Sequence, residues 1–191
     1  MVGAMRQHAP ILNVASFRAW RRSRPDEERW QLIEGIPMMM APPSRRHQRI
    51  ASNLERLLND ALKCHDPAFA AYQNIGVNIV STVPYDPEPD VAVIREDENP
   101  DPRYADRFYL VAEVLSDSDK DIIDGKRDIY RAQPSCKCVL LIRQDRPEII
   151  VDRRIGEGWR PQVLGEVDEL ALPEFGLQCP VRDVYRDTPF G

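Results

Sequence analysis

The chain has 191 residues, 42% of them hydrophobic and 30% charged, and a formal net charge of -5. This composition suits one packed domain and excludes a globally disordered chain, and the acidic balance argues against a protein that coats nucleic acid with its whole surface. No apolar run approaches the roughly 20 residues of a membrane span, the start MVGAMRQHAP lacks the apolar core of a secretory signal, and Cys64, Cys136, Cys138 and Cys179 form neither a disulfide framework nor a closely paired zinc set, so the expectation is a cytoplasmic protein with reduced thiols and no membrane contact.

Residues 1–29 read as an N-terminal extension with one short helix, Ser16 to Arg24, capped by Ser16 and stopped by Pro25. Its Arg18, Arg21, Arg22 and Arg24 are expected on a solvated face. Residues 30–191 read as a single domain. WQLIEGIPMMMA alternates and breaks at Glu34-Gly35, which predicts a hairpin of Trp30 to Ile33 and Pro37 to Ala41. Ser44 caps a long helix, Arg45 to Lys63, in which Ile50, Leu54, Leu57, Leu58 and Ala61 repeat at three- and four-residue steps and form one apolar stripe. Arg45, Arg46 and Arg49 make a second basic cluster at its start.

Extended segments follow. Ala68 to Val80 holds one or two strands, STVPYDPEP is a proline-rich turn, and Asp90 to Ile94 is a short strand. Glu96 to Asp106 is a polar loop and Phe108 to Leu115 an apolar strand. Ser116 to Asp119 introduces a helix from Lys120 to Ala132, which Pro134 stops. Cys138 to Arg143 and Glu148 to Arg153 form a hairpin, and Trp159 to Leu164 adds a strand. Helices that alternate with continuously apolar strands imply an α/β fold, a sheet covered on its faces.

Three residues stand against this apolar grain. Glu113 lies inside YLVAEVL, Asp90 opens DVAVI, and Lys126 falls on the stripe of Ile122, Ile129 and Tyr130 that should face the sheet. Each is costly alone, because an unpaired buried charge loses several kcal/mol of solvation. Together they explain one another. Two converging carboxylates repel, a divalent cation such as Mg2+ or Mn2+ relieves that repulsion, and the lysine supplies a further positive charge. This donor set suits phosphodiester hydrolysis, with the metal activating water and the lysine orienting it or holding developing negative charge. The plainer alternative is a turn-capping Asp90 beside an internal Glu113–Lys126 salt bridge. A two-carboxylate glycosidase has no evident use for Lys126. No GxSxG, P-loop or dinucleotide fingerprint occurs.

PEPDVAVI, LVAEVLSDS and the Lys126 to Tyr130 run KRDIY resemble the Uma2 family, also called DUF820, of restriction-endonuclease type within the PD-(D/E)XK superfamily. WQLIEGIPMMMAPPSRRHQRIASNL and ALPEFGLQCPVRDVY extend the resemblance over most of the chain, Trp30 to Tyr185. It implies a mixed sheet flanked by helices, with an N-terminal β-hairpin and C-terminal β additions. It implies a divalent-metal-dependent endonuclease acting on DNA, or else a non-catalytic nucleic-acid- or protein-binding module on the same fold. Asp90 matches the first acid and Glu113 the second. Leu115 stands where the superfamily usually has lysine, and Lys126 on the next helix matches the position that replaces it. Glu34, His47 and Tyr130 are auxiliary candidates. The spacing from Glu113 to Lys126 is one residue shorter than the family pattern, and Arg143-Gln144 replaces its short acidic strand ending. A homodimer is expected, since one such centre cuts one strand.

Overall fold

The computed structural model describes residues 11–116 and 122–191. The expected helix start at Lys120 and the introducing Asp117, Ser118 and Asp119 lie outside these residues. Helix α1 runs Val14–Arg21, and Asn13 rather than Ser16 caps it, its Oδ1 accepting from the Ser16 amide at 2.8 Å. The asparagine side chain reaches the third amide of the helix, so the helix starts ahead of the expected serine. Two of its arginines are not simply solvated. Arg18 pairs with Asp86 at 2.5 Å and Arg21 with Glu88, which pins α1 to the proline-rich turn while Phe17 is buried beneath it.

Strands β1 (Trp30–Ile33) and β2 (Ile36–Met39) form the expected hairpin. Both turn residues, Glu34 and Gly35, have positive φ, the geometry a two-residue hairpin turn prefers. A side chain at Gly35 would also collide with Ile11, 2.5 Å away. Helix α2 (Arg45–His65) begins at Ser44, whose hydroxyl accepts from the His47 amide at 3.1 Å. Its Ile50, Leu54 and Leu58 are fully buried, each contributing about 1.5–3 kcal/mol. Leu57 and Ala61 pack at the margin of the same stripe.

The remaining elements are β3 (Phe69–Gln73), β4 (Gly76–Val77), β5 (Val91–Arg95), β6 (Tyr104–Ala105), β7 (Phe108–Leu115), α3 (Ile123–Ala132), β8 (Cys138–Arg143), β9 (Ile149–Ile155), β10 (Gly158–Leu164), β11 (Glu169–Leu172), β12 (Leu177–Pro180) and α4 (Val181–Val184). Among the described residues the central sheet has six strands in the order β10-β9-β8-β7-β5-β3. It is mixed. The β7–β8 pair is parallel and joined through α3, and the other four pairs are antiparallel. The expected polar loop holds a short strand, since β6 pairs in parallel with β4. β11 and β12 form the C-terminal hairpin.

The sheet is covered on both faces. Val91, Val93, Ala112, Val114 and Leu140 pack with α2 and the C-terminal hairpin. Ala92, Val111, Leu115, Val139 and Leu141 pack with Tyr130 of α3. Alternation along β7 places Glu113 on this second face, between Val111 and Leu115. No described helix is long and apolar enough to cross a membrane.

Candidate functional site

The strand register builds the site. Val91 of β5 lies opposite Ala112 of β7, so one step further Asp90 stands across from Glu113. The Asp90 Oδ2 accepts from the Val114 amide at 2.7 Å and lies 3.1 Å from His47 Nε2. The first turn of α2, the start of β5 and the C-terminal end of β7 thus meet at one carboxylate.

Glu113 is only 7% exposed, and its Oε1 takes two contacts from α3, Lys126 Nζ at 2.6 Å and the Tyr130 hydroxyl at 2.7 Å. Lys126 and Tyr130 are four residues apart on one helical face, so a single docking of α3 delivers both. Burial pushes the Glu113 carboxyl above its ordinary value, the Lys126 ammonium opposes that push, and the Asp90 charge adds to it. The Tyr130 phenol is held well above its ordinary value by burial and by Glu113, which keeps it a donor.

These residues floor a cavity of 200 Å3 whose walls include His47, Asp90, Glu113, Lys126, Gln144 and Gln31. Tyr130 supports Glu113 from behind and is not part of the wall. Glu34 is elsewhere. It is exposed at the β1–β2 turn and accepts from the Tyr85 hydroxyl at 3.1 Å. The Tyr85 phenol is pushed up to about 12 by its burial and by this carboxylate.

Among the described residues, no group of three or more His, Cys, Asp or Glu side chains is arranged to hold a metal ion. The donors on offer are two carboxylates. Asp90 Oδ1 and Glu113 Oε2 have no hydrogen bond among the described residues, while their partner oxygens are engaged. Two hard oxygen donors beside open volume fit Mg2+ or Mn2+, which keep several waters when protein ligands are few.

Two wall residues were not among the candidate site residues of the sequence. Gln31, 3% exposed on β1, donates through Nε2 to the Glu88 carbonyl at 3.3 Å and buries an Oε1 without a hydrogen-bond partner among the described residues. Its sequence signal is a polar residue inside WQLI. Gln144 follows β8, accepts from the Ser44 hydroxyl at 2.8 Å through its side chain, and accepts from Arg46 at 3.0 Å through its carbonyl. Only the fold brings it to the start of α2. A second acid–base pair was also missed. Arg127 grips Asp152 with two bonds, at 2.5 and 2.6 Å, and Asp152 is 1% exposed on β9.

The family model Uma2, described as "Putative restriction endonuclease", matches residues 14–182. A solved structure described as a "putative nuclease belonging to DUF820" from Anabaena variabilis ATCC 29413 superposes with a TM-score of 0.70 at 16% identity, covering 87% of this chain and 94% of that one. At that identity the likeness speaks for the fold. No curated protein matches.

Proposed function

The chain belongs to the Uma2 family, and from that premise we propose that it is a divalent-metal-dependent endonuclease that hydrolyses phosphodiester bonds in DNA. The observation that carries this reading is the convergence of Asp90 and Glu113 across neighbouring strands, with the Lys126 ammonium 2.6 Å from Glu113 at a cavity floor. DNA is preferred because the family is described by restriction activity.

Asp90 and Glu113 would hold Mg2+ or Mn2+ through the oxygens left free by their protein contacts. When bound, such an ion lowers the pKa of a coordinated water and polarises the phosphoryl oxygens. The protein groups do the rest. His47 and the Val114 amide fix Asp90 from two sides, which sets the direction of its free oxygen. Tyr130 and Lys126 fix Glu113 in the same way. Lys126 also places a positive charge in the cavity wall, where it can hold negative charge developing on the phosphate or orient the attacking water. Glu113 is the pivot, because it joins the anionic floor to the cationic helix.

The deciding experiment is calorimetry with Mg2+ and Mn2+ on the wild type and on Asp90→Ala/Glu113→Ala, followed by hydrolysis of plasmid and oligonucleotide DNA with Lys126→Ala as control. Binding lost in the double variant, with hydrolysis that needs Lys126, is the expected result. Metal binding that survives the double variant would sink the site. DNA binding without hydrolysis under any divalent ion would favour the non-catalytic module. On duplex DNA we take the working unit to be a homodimer, one centre for each strand, and sedimentation of the chain with and without duplex tests that.

A further inference from the structure

The centre lies within a longer depression. Its 200 Å3 cavity shares Arg29, Pro43, His47 and Asp90 with a small neighbour of 30 Å3, which shares Gln73 and Asn74 with a groove of 520 Å3. Through a different wall, the same cavity shares Ser44 and Gln144 with a groove of 900 Å3, and Ser116 and Gln144 with one of 390 Å3. The cavities adjoin through these shared residues, and we read them as one trough with an arm on each side of the proposed centre.

The charges along it are unusual for a chain of net charge -5. Arg18 and Arg21 in the first arm are already matched by Asp86 and Glu88. Six other wall arginines have no carboxylate partner among the described residues: Arg22, Arg29 and Arg103 in one arm, Arg45, Arg46 and Arg49 in the other. The Arg29 guanidinium bonds the Asn74 amide oxygen at 2.7 Å, and Arg46 bonds the Gln144 carbonyl and stacks over Phe190. The opposing acids without a cationic partner among the described residues are Asp26 in the first arm and Asp187 in the second. Three of the arginines open α2, where the first turn holds no acid. That is the positive end of the helix dipole, the least favourable place on a helix for cations. An anion in the groove would offset that cost.

We propose that the trough is the track of one polynucleotide strand, with backbone phosphates held by Arg45, Arg46 and Arg49 to one side of the scissile bond and by Arg22, Arg29 and Arg103 to the other. The proposal rests on the nuclease reading for the centre itself. It adds that the enzyme engages backbone phosphates on both sides of the cut, and it names the arginines that hold them.

The test is fluorescence anisotropy in EDTA, with the full-length chain, a labelled single-stranded oligonucleotide and a labelled dinucleotide, across a salt series. The two variants are Arg45→Ala/Arg49→Ala and Arg22→Ala/Arg103→Ala. All four residues are exposed, so both variants should fold, and circular dichroism checks this. Each released phosphate contact changes the slope of log affinity against log salt by about 0.7 for a single strand, so each pair should flatten it by about 1.4 and weaken binding roughly ten-fold. The dinucleotide, with one phosphate, should bind far more weakly than the oligonucleotide. An unchanged slope in either pair, or equal affinity for the two probes, overturns the track. Flattened slopes in both pairs with no hydrolysis by the wild type would keep the track and remove the nuclease reading. Hydrolysis with unchanged slopes would do the reverse.

Discussion

Helix α3 carries two buried acid–base pairs on adjacent residues, Lys126 with Glu113 and Arg127 with Asp152, and the two are built differently. Asp152 uses both oxygens on the guanidinium of one arginine, a planar fork that saturates the carboxylate. Glu113 gathers an ammonium and a phenol on Oε1 alone, faces a second acid across the strand pair, and borders a cavity. The first arrangement is closed and docks the helix on β9. The second leaves one carboxylate oxygen without a hydrogen bond among the described residues, beside a cavity. A buried ion pair marks a site when its valences are left unfilled, not merely because it is buried.

The sharpest way to break this comparison is kinetic. With DNA hydrolysis as readout, Lys126→Ala should lower kcat about 100- to 1000-fold, the usual cost of one group that stabilises transition-state charge. Arg127→Ala, assayed at a temperature where it is folded, should stay within about ten-fold of wild type. Equal losses would mean that α3 acts as one structural unit and that Lys126 has no chemical part.

Stability should show the opposite ranking. Arg127→Ala strands Asp152 in the core, and urea unfolding should report a loss of about 3–5 kcal/mol. Lys126→Ala should cost less, because Glu113, already pushed toward its neutral form by burial, can take a proton.

Divalent ions should separate the pairs again. Mg2+ or Mn2+ at ten to a hundred times its dissociation constant should stabilise wild type and Arg127→Ala by about 1.5–3 kcal/mol in thermal unfolding. The same addition should leave Asp90→Asn/Glu113→Gln unmoved.

The smallest effect concerns pH. In the unfolded chain Glu113 ionises near 4.5, and in the folded chain it ionises higher. Its protonated form therefore favours the fold. That contribution is complete below 4.5 and is lost as pH rises through the folded value. In metal-free buffer, wild type should lose stability relative to Glu113→Gln as pH rises from 4.5. Parallel unfolding profiles for the two proteins would contradict the raised value.

Much of the site could be read in the sequence, because it consists of local violations. An acid in YLVAEVL and a lysine on an apolar helical stripe are visible to periodicity alone, and the register then brings Asp90 to Glu113. Asp152 gives the same signal in IIVDRRI, and its arginine lies directly beside Lys126, yet the pair was not singled out. Recognising it requires knowing that α3 spans both β7 and β9, which follows from strand order and not from any segment. The hairpin, α2 and the β7–α3–β8 path were equally legible. The cap at Asn13 was not, since Ser16 offers an equally plausible cap, nor was the short β4–β6 pair inside a polar loop. The walls of the trough come from segments distant in the chain, and only the folded shape puts Gln144 beside Ser44 or Arg22 and Arg29 on adjoining cavities.

The parallel crossover of β7, α3 and β8 has one more consequence. Asp90, Glu113 and Lys126 all come from one stretch of sequence, from the residue before β5 through α3, whereas the wall at Gln144 waits for β8. Loop-closure entropy grows with the length of chain enclosed, so the three candidate groups meet across comparatively short loops. Gln144 must close the longer span back to Ser44, and the second arm of the trough also needs Asp187 and Thr188 from the end of the chain. In a partly unfolded molecule whose tail has detached, the cluster of Asp90, Glu113 and Lys126 could persist after the groove beside it has lost a wall.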